Sequence, residues 1–388
     1  MPGISVSRVT ELLENPGEEF RFDGVTDTFP DIKLVYWIGG NVFHHHQDLN
    51  RLRRAWARPE TIVVHEPFWT PMARFADIVL PATTPLERND LGGAETMLVA
   101  MGAVLEPQGE ARNDYDIFAE LAERLGFGGD HHQGRTADEW VRHLYERFRD
   151  DNPWAPDYDR FRADGHLVHP DMAVMGERRQ VFLEAFRTDP DANPLPTPSG
   201  RIELWSDVIE GFGYDDCPPH PIWLEPYERL GTAAAERHPL HLVSNQPATR
   251  LHSQYDHAEP SRATKVADRE PARLHPDDAA ARGITDGDVI RVFNERGACL
   301  AGAVLSDRLM PGVIQLSTGA WYDPDLGPDG RGDGTCKHGN PNVLTRDKGT
   351  SQLAQGPTAH TCLVEVERYE GEPPPVTAFD PPEIIREG

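Results

Sequence analysis

Three consecutive histidines, His44 to His46, follow a glycine pair in the stretch WIGGNVFHHHQDLNR (37–51) and are the first residues whose types suggest metal chemistry. Their contiguity argues against it. Neighbouring side chains point about 100° apart on a helix and about 180° apart on a strand, so three in a row cannot converge on one ion. Ligand pairs on regular elements instead sit at i,i+2 or i,i+4. Two roles stay open for the triplet. It is a set of loop histidines that donate hydrogen bonds and pack locally, or it meets a ligand beside a helix N-terminus, where backbone N–H groups and the helix dipole favour phosphate. Glu66, 26 residues beyond Gly40, stands where a dinucleotide fold places an acid against a ribose hydroxyl or base edge; a solvated loop carboxylate is the plainer reading. No G-x-G-x-x-G precedes it, so the usual nicotinamide or flavin fingerprint is absent.

A second concentration of polar chemistry is SNQPATRLHSQ (244–254), where Ser244, Asn245, Gln246, Thr249, Arg250, His252, Ser253 and Gln254 are packed into eleven residues. So many neutral donors and acceptors suit a polycyclic, heteroatom-rich ligand better than a metal ion, an ordinary polar surface loop being the alternative. KHGNPN (337–342) is a further donor-rich turn. Hydrolytic chemistry finds no G-x-S-x-G elbow. Cys217, Cys299, Cys336 and Cys362 are far apart, without the C-x-x-C grammar of zinc, iron–sulfur or thioredoxin-like sites, and read as buried or incidental thiols.

The elements that must position these residues follow from periodicity. Residues 5–14 form a short amphipathic helix stopped by Asn15-Pro16-Gly17. DIKLVYWIGG (31–40), TIVVHEP (61–67) and DIVLPATT (77–84) are short buried strands, separated by helical stretches at QDLNRLRRAWARPE and FWTPMARFA. MLVAMGAVLEP (97–107) is extended, and DYDIFAELAERLG (114–126) is an amphipathic helix ended by Gly126. Such alternation implies a doubly wound, Rossmann-like α/β domain over 1–150, with its ligand at the carboxyl ends of the strands. Residues 151–237 are proline-rich and aromatic, an irregular connecting region with one strand-like piece, RIELWS (201–206). From 238 to 370, short strands with turn residues between them indicate a small β-barrel, and 371–388 read as an extended or disordered tail.

Acidic side chains number 64 against 38 basic ones, for a net charge of -26, which argues against binding along a phosphate backbone; nucleic acid is an unexpected partner. No apolar run approaches the roughly 20 residues of a membrane span. As written, the chain reads as soluble and cytoplasmic; a leader on a preceding segment would make it periplasmic.

YWIGGNVFHHHQDLNRLRRAWARPETIVVHEPFWTPMARFADIVLPATTPLERND (36–90) closely resembles the molybdopterin oxidoreductases of the dimethyl sulfoxide reductase family, and HHHQDLNRLRRAW is most similar to their S- and N-oxide reductase branch. SNQPATRLHSQ, ARLHPDDAAARGITDGDVIRV, STGAWYDP and GNPNVLT stand in the order of that family's dinucleotide-binding domain, and TPSGRIELWS resembles its connecting segment. The resemblance implies a double-psi barrel and a molybdenum-bis(molybdopterin guanine dinucleotide) cofactor whose metal takes an oxygen atom from S-oxide or N-oxide substrates. Gly39, Gly40, Asn41, His45, Gln47 and Glu66, with His65 and Asp90 as weaker candidates, would contact one dinucleotide. Ser244, Asn245, Arg250, His252, Ser253 and Gln254 would hold pterin and pyrophosphate groups, joined by Asn342 and Gln355. Val42 stands where the branch often has proline. Because the resemblance is to the carboxyl-terminal half of such enzymes, the metal's protein ligand is expected outside this chain. The expected partners are an amino-terminal half and an electron-donor protein, and a surface normally packed on that half would favour self-association. The alternative is a truncated, non-catalytic fragment that binds cofactor or nucleotide weakly.

Overall fold

The computed structural model describes residues 3–94, 96–170, 181–327, 330 and 332–385. Contacts divide the chain into two compact units, one comprising Met1–Val64, Trp69–Ile78 and Leu204–Gly388, the other His65–Phe68 and Val79–Glu203. This division falls elsewhere than the boundaries read from composition. The physical reason is visible in the first unit, where side chains of the segment 340–347 hydrogen-bond the backbone and histidines of residues 43–46.

The chain opens with helix α1 (Val9–Glu14), then a hairpin of β1 (Glu19–Phe22) and β2 (Val25–Thr28) in antiparallel register. Strand β3 (Leu34–Ile38) leads through Gly39 and Gly40, both at positive φ (69° and 70°), into a single helical turn, α2 (Val42–His45). The glycines are required because L residues with a side chain rarely adopt this conformation. Helix α3 (Leu49–Trp56) buries Leu49, Leu52, Ala55 and Trp56, the i, i+3, i+6, i+7 face of an amphipathic helix. Strand β4 (Thr61–Glu66), the turn α4 (Pro71–Arg74) and strand β5 (Ile78–Pro81) follow, and the three strands form a sheet of order β3-β4-β5. Phe43, fully buried, packs on Trp56 (ring centroids 5.8 Å), Phe75 (4.8 Å) and Tyr322 (6.0 Å). This cluster fixes α2 from below; truncating a buried Phe typically costs about 3–5 kcal/mol.

In the second unit β6 (Asp90–Ala94), β7 (Met97–Met101) and β8 (His166–Val168) make an antiparallel sheet of order β6-β7-β8. Its helices include α5 (Asp114–Arg124), α6 (Gly128–His132), α7 (Ala137–Asp151) and α8 (Tyr158–Asp164). A capping box between Thr136 and Glu139 starts α7, and Tyr145 on α7 stacks on Phe161 of α8 at 4.4 Å as the helices' buried seam.

The barrel uses β9 (Leu240–Val243), β10 (Pro271–Leu274), β11 (Val289–Phe293), β12 (Ala298–Leu305), β13 (Val313–Leu316) and β16 (Leu363–Arg368). Their order is β10-β13-β9-β16-β11-β12, and β12 pairs back onto β10, closing six strands of mixed direction; β14 (Pro324–Asp325) and β15 (Thr335–Cys336) extend it from β12. Alternate residues point inward, as in Ile290 and Val292 or Ile314 and Leu316.

Two sequence expectations need correction. RIELWS (201–206) is not a strand: Ser206 instead caps the helix Asp207–Phe212 and its N–H donates to Pro219 O, while Ile202 and Leu204 lie exposed without a sheet partner to bury them. The described part of the tail, 371–385, lacks helix and strand, yet it does not hang free. The Thr377 N–H donates to Asp323 (2.7 Å), Ala378 is buried and Phe379 packs edge-on to Trp321 at 5.4 Å. Residues 386–388 of the tail lie outside the described residues.

Candidate functional site

Because α2 is one turn of helix carrying His44 and His45, and His46 follows it in extended conformation, the three histidines diverge. The stretch read as a loop is helical since Asn41 caps it, its Oδ1 accepting from Phe43 N (3.1 Å). His44 points inward and stacks on Trp321 at 5.6 Å, its ring nitrogens buried without hydrogen-bond partners. Burial drives its pKa down to about 3, against the weaker pull of Asp256, so His44 is neutral. His46 turns toward α1, with Nε2 2.8 Å from Thr10 Oγ1 and 3.1 Å from Asp347 Oδ2. Burial opposes charge on Asp347, but His46 and Arg8 (3.0 Å) outweigh it and hold its carboxyl below the ordinary range. His45 alone of the three is exposed, beside Gly40, and burial together with the neighbouring His46 and His252 lowers its pKa. Among the described residues no three His, Cys, Asp or Glu side chains are arranged to hold a metal ion.

The helix N-termini near the triplet are closed by their own chain. Asn41 caps α2, and Asp48, at φ 46°, accepts from Arg51 N (3.2 Å) at the start of α3. Each helix start thus has one backbone donor already taken by a side-chain oxygen of this chain. Gln47 is buried and folds back onto His45 O (3.0 Å). What remains open is the glycine turn itself: a Cβ on Gly39 would meet nothing within 4 Å.

The polar loop 244–254 lies in the same unit and divides into two groups. Asn245, His252 and Gln254 are exposed, with Ser244 and Ser253 half-buried. Asn245 Oδ1 accepts from Ser317 Oγ (3.1 Å) and from Gln315, and Gln246 braces His252 through both its Oε1 and Nε2. Arg250 behaves differently. Its guanidinium is fully buried and bonded to Glu270 (3.0 Å), Asp256 (3.3 Å), His252 O (3.2 Å) and Thr318 O (3.1 Å), so it supports the loop from beneath. Gly319 lets the chain pass underneath, since a Cβ there would stand 1.8 Å from His252 O.

Asn342 is likewise buried, donating to His44 O (3.1 Å) and accepting from Thr345 Oγ1 (3.0 Å). Asn340, which the sequence reading left unassigned, donates to Phe43 O (3.3 Å) and Ala320 O (2.8 Å). Together they clamp α2 onto the barrel segment. Gln355, at φ 51°, donates to Arg21 O (2.9 Å) and its own carbonyl accepts from Ser7 Oγ (2.5 Å). Three further candidates belong to the second unit: His65 is buried with Nδ1 2.7 Å from Asp114 Oδ1, Glu66 is half-buried at the end of β4, and Asp90 pairs with Arg88 (3.3 Å). Sequence reasoning missed Trp321, Asp256, Lys265 and Glu270, since nothing in their spacing ties them to the loop they support.

An exposed, donor-rich loop on a closed six-stranded barrel, beside an open glycine turn, has the form of a nucleotide-cofactor site. The segment carrying it, residues 240–363, matches the family model "Molydopterin dinucleotide binding domain", and residues 24–124 match "Molybdopterin oxidoreductase". The chain is 49% identical over 98% of its length to the dimethyl sulfoxide/trimethylamine N-oxide reductase of Cereibacter sphaeroides, covering 46% of that protein. It is 48% identical over 95% of its length to the biotin sulfoxide reductase of the same organism, covering 49%, and 46% identical to the trimethylamine-N-oxide reductase of Haemophilus influenzae, covering 47%. It therefore spans about half the length of these relatives. Acetylene hydratase from Pelobacter acetylenicus has the same fold over 88% of this chain and 45% of its own, with a TM-score of 0.67 at 22% identity. The chain is thus similar to the molybdopterin oxidoreductases over most of its length.

Proposed function

We propose that this chain contributes the molybdopterin guanine dinucleotide-binding part of a molybdenum oxidoreductase that reduces S-oxides or N-oxides. The observation that carries this reading is the coincidence of the dinucleotide-binding match over 240–363 with the barrel whose exposed loop bears Asn245, His252 and Gln254. The residues fit such a group: Gly39 has open space where a Cβ would stand, and the exposed amides and imidazole are hydrogen-bonding groups suited to base edges, pterin heteroatoms and phosphate oxygens.

Gly39, Gly40, Asn41 and His45 would receive one dinucleotide by close backbone approach and hydrogen bonding, with Gln47 holding the turn. Ser244, Asn245, His252, Ser253 and Gln254 would orient another part of the cofactor, supported by Arg250, Asn342 and Gln355 from beneath. In the second unit Glu66 is a partner for a ribose or base edge, with His65 and Asp90 as further contacts. The mixed-direction closure of the barrel supports a double-psi reading, and the alternation of β3, α3, β4, α4 and β5 supports an α/β reading of the three-stranded sheet. When bound, the cofactor supplies a redox-active molybdenum that accepts the oxygen atom, and the protein binds and orients it. The relatives' remaining length would supply the metal's protein ligand and the substrate pocket, and an electron-donor protein would re-reduce the metal.

The test is production of the chain together with the family sequence matching the relatives' other half, followed by molybdenum analysis, detection of released GMP and a reduced-benzyl-viologen assay with S-oxide and N-oxide substrates. Molybdenum with GMP and substrate-dependent viologen oxidation is the expected result. A folded complex that retains neither molybdenum nor GMP refutes the reading.

A further inference from the structure

Beneath the loop 244–254 lie four buried charges that the ligand-facing groups do not use. Lys265 Nζ is 2.7 Å from Asp256 and 2.6 Å from Glu270, and Arg250 is 3.3 Å from Asp256 and 3.0 Å from Glu270; all four side chains are at most 4% exposed. The other titratable groups facing them are His338, whose Nδ1 lies 3.7 Å from Asp256, and His44. Two cations and two carboxylates sum to zero, so the ring is self-compensated. Stability alone does not explain it, because well-packed apolar residues commonly replace buried ion pairs without loss.

What the ring adds is direction. Arg250 donates to His252 O (3.2 Å) and Thr318 O (3.1 Å), and Asp256 Oδ2 accepts from Trp321 N (3.1 Å). Trp321 in turn donates from its indole to Ser253 O (2.9 Å). The backbone on both sides of the exposed His252 is thus held to the segment 318–321 by bonds that originate in the ring. Lys265 is also one of only four lysines, at 33, 265, 337 and 348, among 38 basic residues. Its compact ammonium bridges the two carboxylates as a single point charge.

We infer that Arg250, Asp256, Lys265 and Glu270 act as a charge-balanced positioning device that sets the conformation of residues 250–254 for a dinucleotide ligand, and that Lys265 and Glu270 are positioning residues. This rests on the dinucleotide-binding reading above only for the identity of the ligand. Removing one carboxylate charge leaves an uncompensated buried cation and releases the loop; removing one charge of each sign leaves the Arg250–Asp256 pair and its bonds to the loop intact.

The experiment compares the full chain with Glu270→Gln and with Glu270→Gln/Lys265→Met, using GDP affinity by calorimetry and amide hydrogen exchange over 250–254. The single variant should bind GDP about tenfold more weakly and exchange about tenfold faster in that segment, and the double variant should return to within about threefold of the parent on both readings. A folded single variant with parental exchange at 250–254 overturns the inference, as does a double variant that exchanges as fast as the single one. If the single variant does not fold, the double variant decides: parental exchange in the segment supports the device and fast exchange overturns it. A parent chain that fails to bind GDP removes the nucleotide reading, while the exchange comparison still judges the positioning role.

Discussion

The two buried neutral histidines of the barrel unit make its stability depend on acid in a direction that can be calculated. His44 and His338 are each held at a pKa of about 3 mainly by burial, whereas an unfolded histidine titrates near 6.5. The folded values are depressed, so between about pH 3 and 6.5 the unfolded chain binds more protons and stability falls as pH falls. From pH 7 to pH 5, linkage gives a loss of about 2 kcal/mol for one such histidine. The two lie close enough to repel when charged, so their effects will not simply add.

Substituting His44→Phe removes one titrating group and keeps a ring against Trp321. Urea unfolding at pH 7, 6 and 5, followed by tryptophan fluorescence and by exchange of barrel amides, measures the difference. The parent should lose about 2 kcal/mol more than the variant between pH 7 and 5. The comparison is a difference between two chains, so the remaining histidines cancel. Parallel pH dependences for the parent and the variant would refute the assignment of His44 as a buried neutral group.

Two further outcomes follow from the site's construction. Gly319→Ala would combine a strained φ of 90° with a Cβ 1.8 Å from His252 O, so it should lower the thermal midpoint and expose the His252 loop to limited proteolysis, whereas Gly39→Ala, with open space around it, should cost only its backbone strain, about 1 kcal/mol by denaturant unfolding. Cys299, Cys336 and Cys362 are buried, and burial raises all three thiol pKa values, so in the native chain at pH 8 an aromatic disulfide reagent should label Cys217 quickly and the other three only after urea is added.

Much of the local structure was legible because short-range rules suffice for it. The period-2 burial of VIRVF, the helix that begins at Asp114 and the tight turn at Gly39 and Gly40 are each decided by neighbours within a few residues. The strand expected at 201–206 was misread for the complementary reason. Composition states that a segment can pair, and among the described residues no strand pairs with this one. The packing of Thr377–Phe379 was invisible because it rests on Asp323 and Trp321, more than fifty residues earlier in the chain.

The site itself was half legible, and the dividing line is physical. Sequence density picks out loops rich in donors, and it marked both 39–47 and 244–254. It cannot tell a donor that faces solvent from one turned under its own loop, since both choices use the same residue types. Arg250 shows the consequence. In a chain of net charge -26, an arginine in a polar loop reads as the natural partner of a pyrophosphate, yet two buried carboxylates, Asp256 and Glu270, six and twenty residues further along the chain, pair with it. The exposed groups of the loop include the uncharged amides Asn245 and Gln254, with His252 between them in sequence. A ligand held there is recognised chiefly by directed hydrogen bonds and shape, with less reliance on net attraction, so affinity for a guanine nucleotide at this loop should change little as salt is raised from 50 to 500 mM; a steep decline of log affinity with log salt would show that a cation, and not this neutral set, carries the contact.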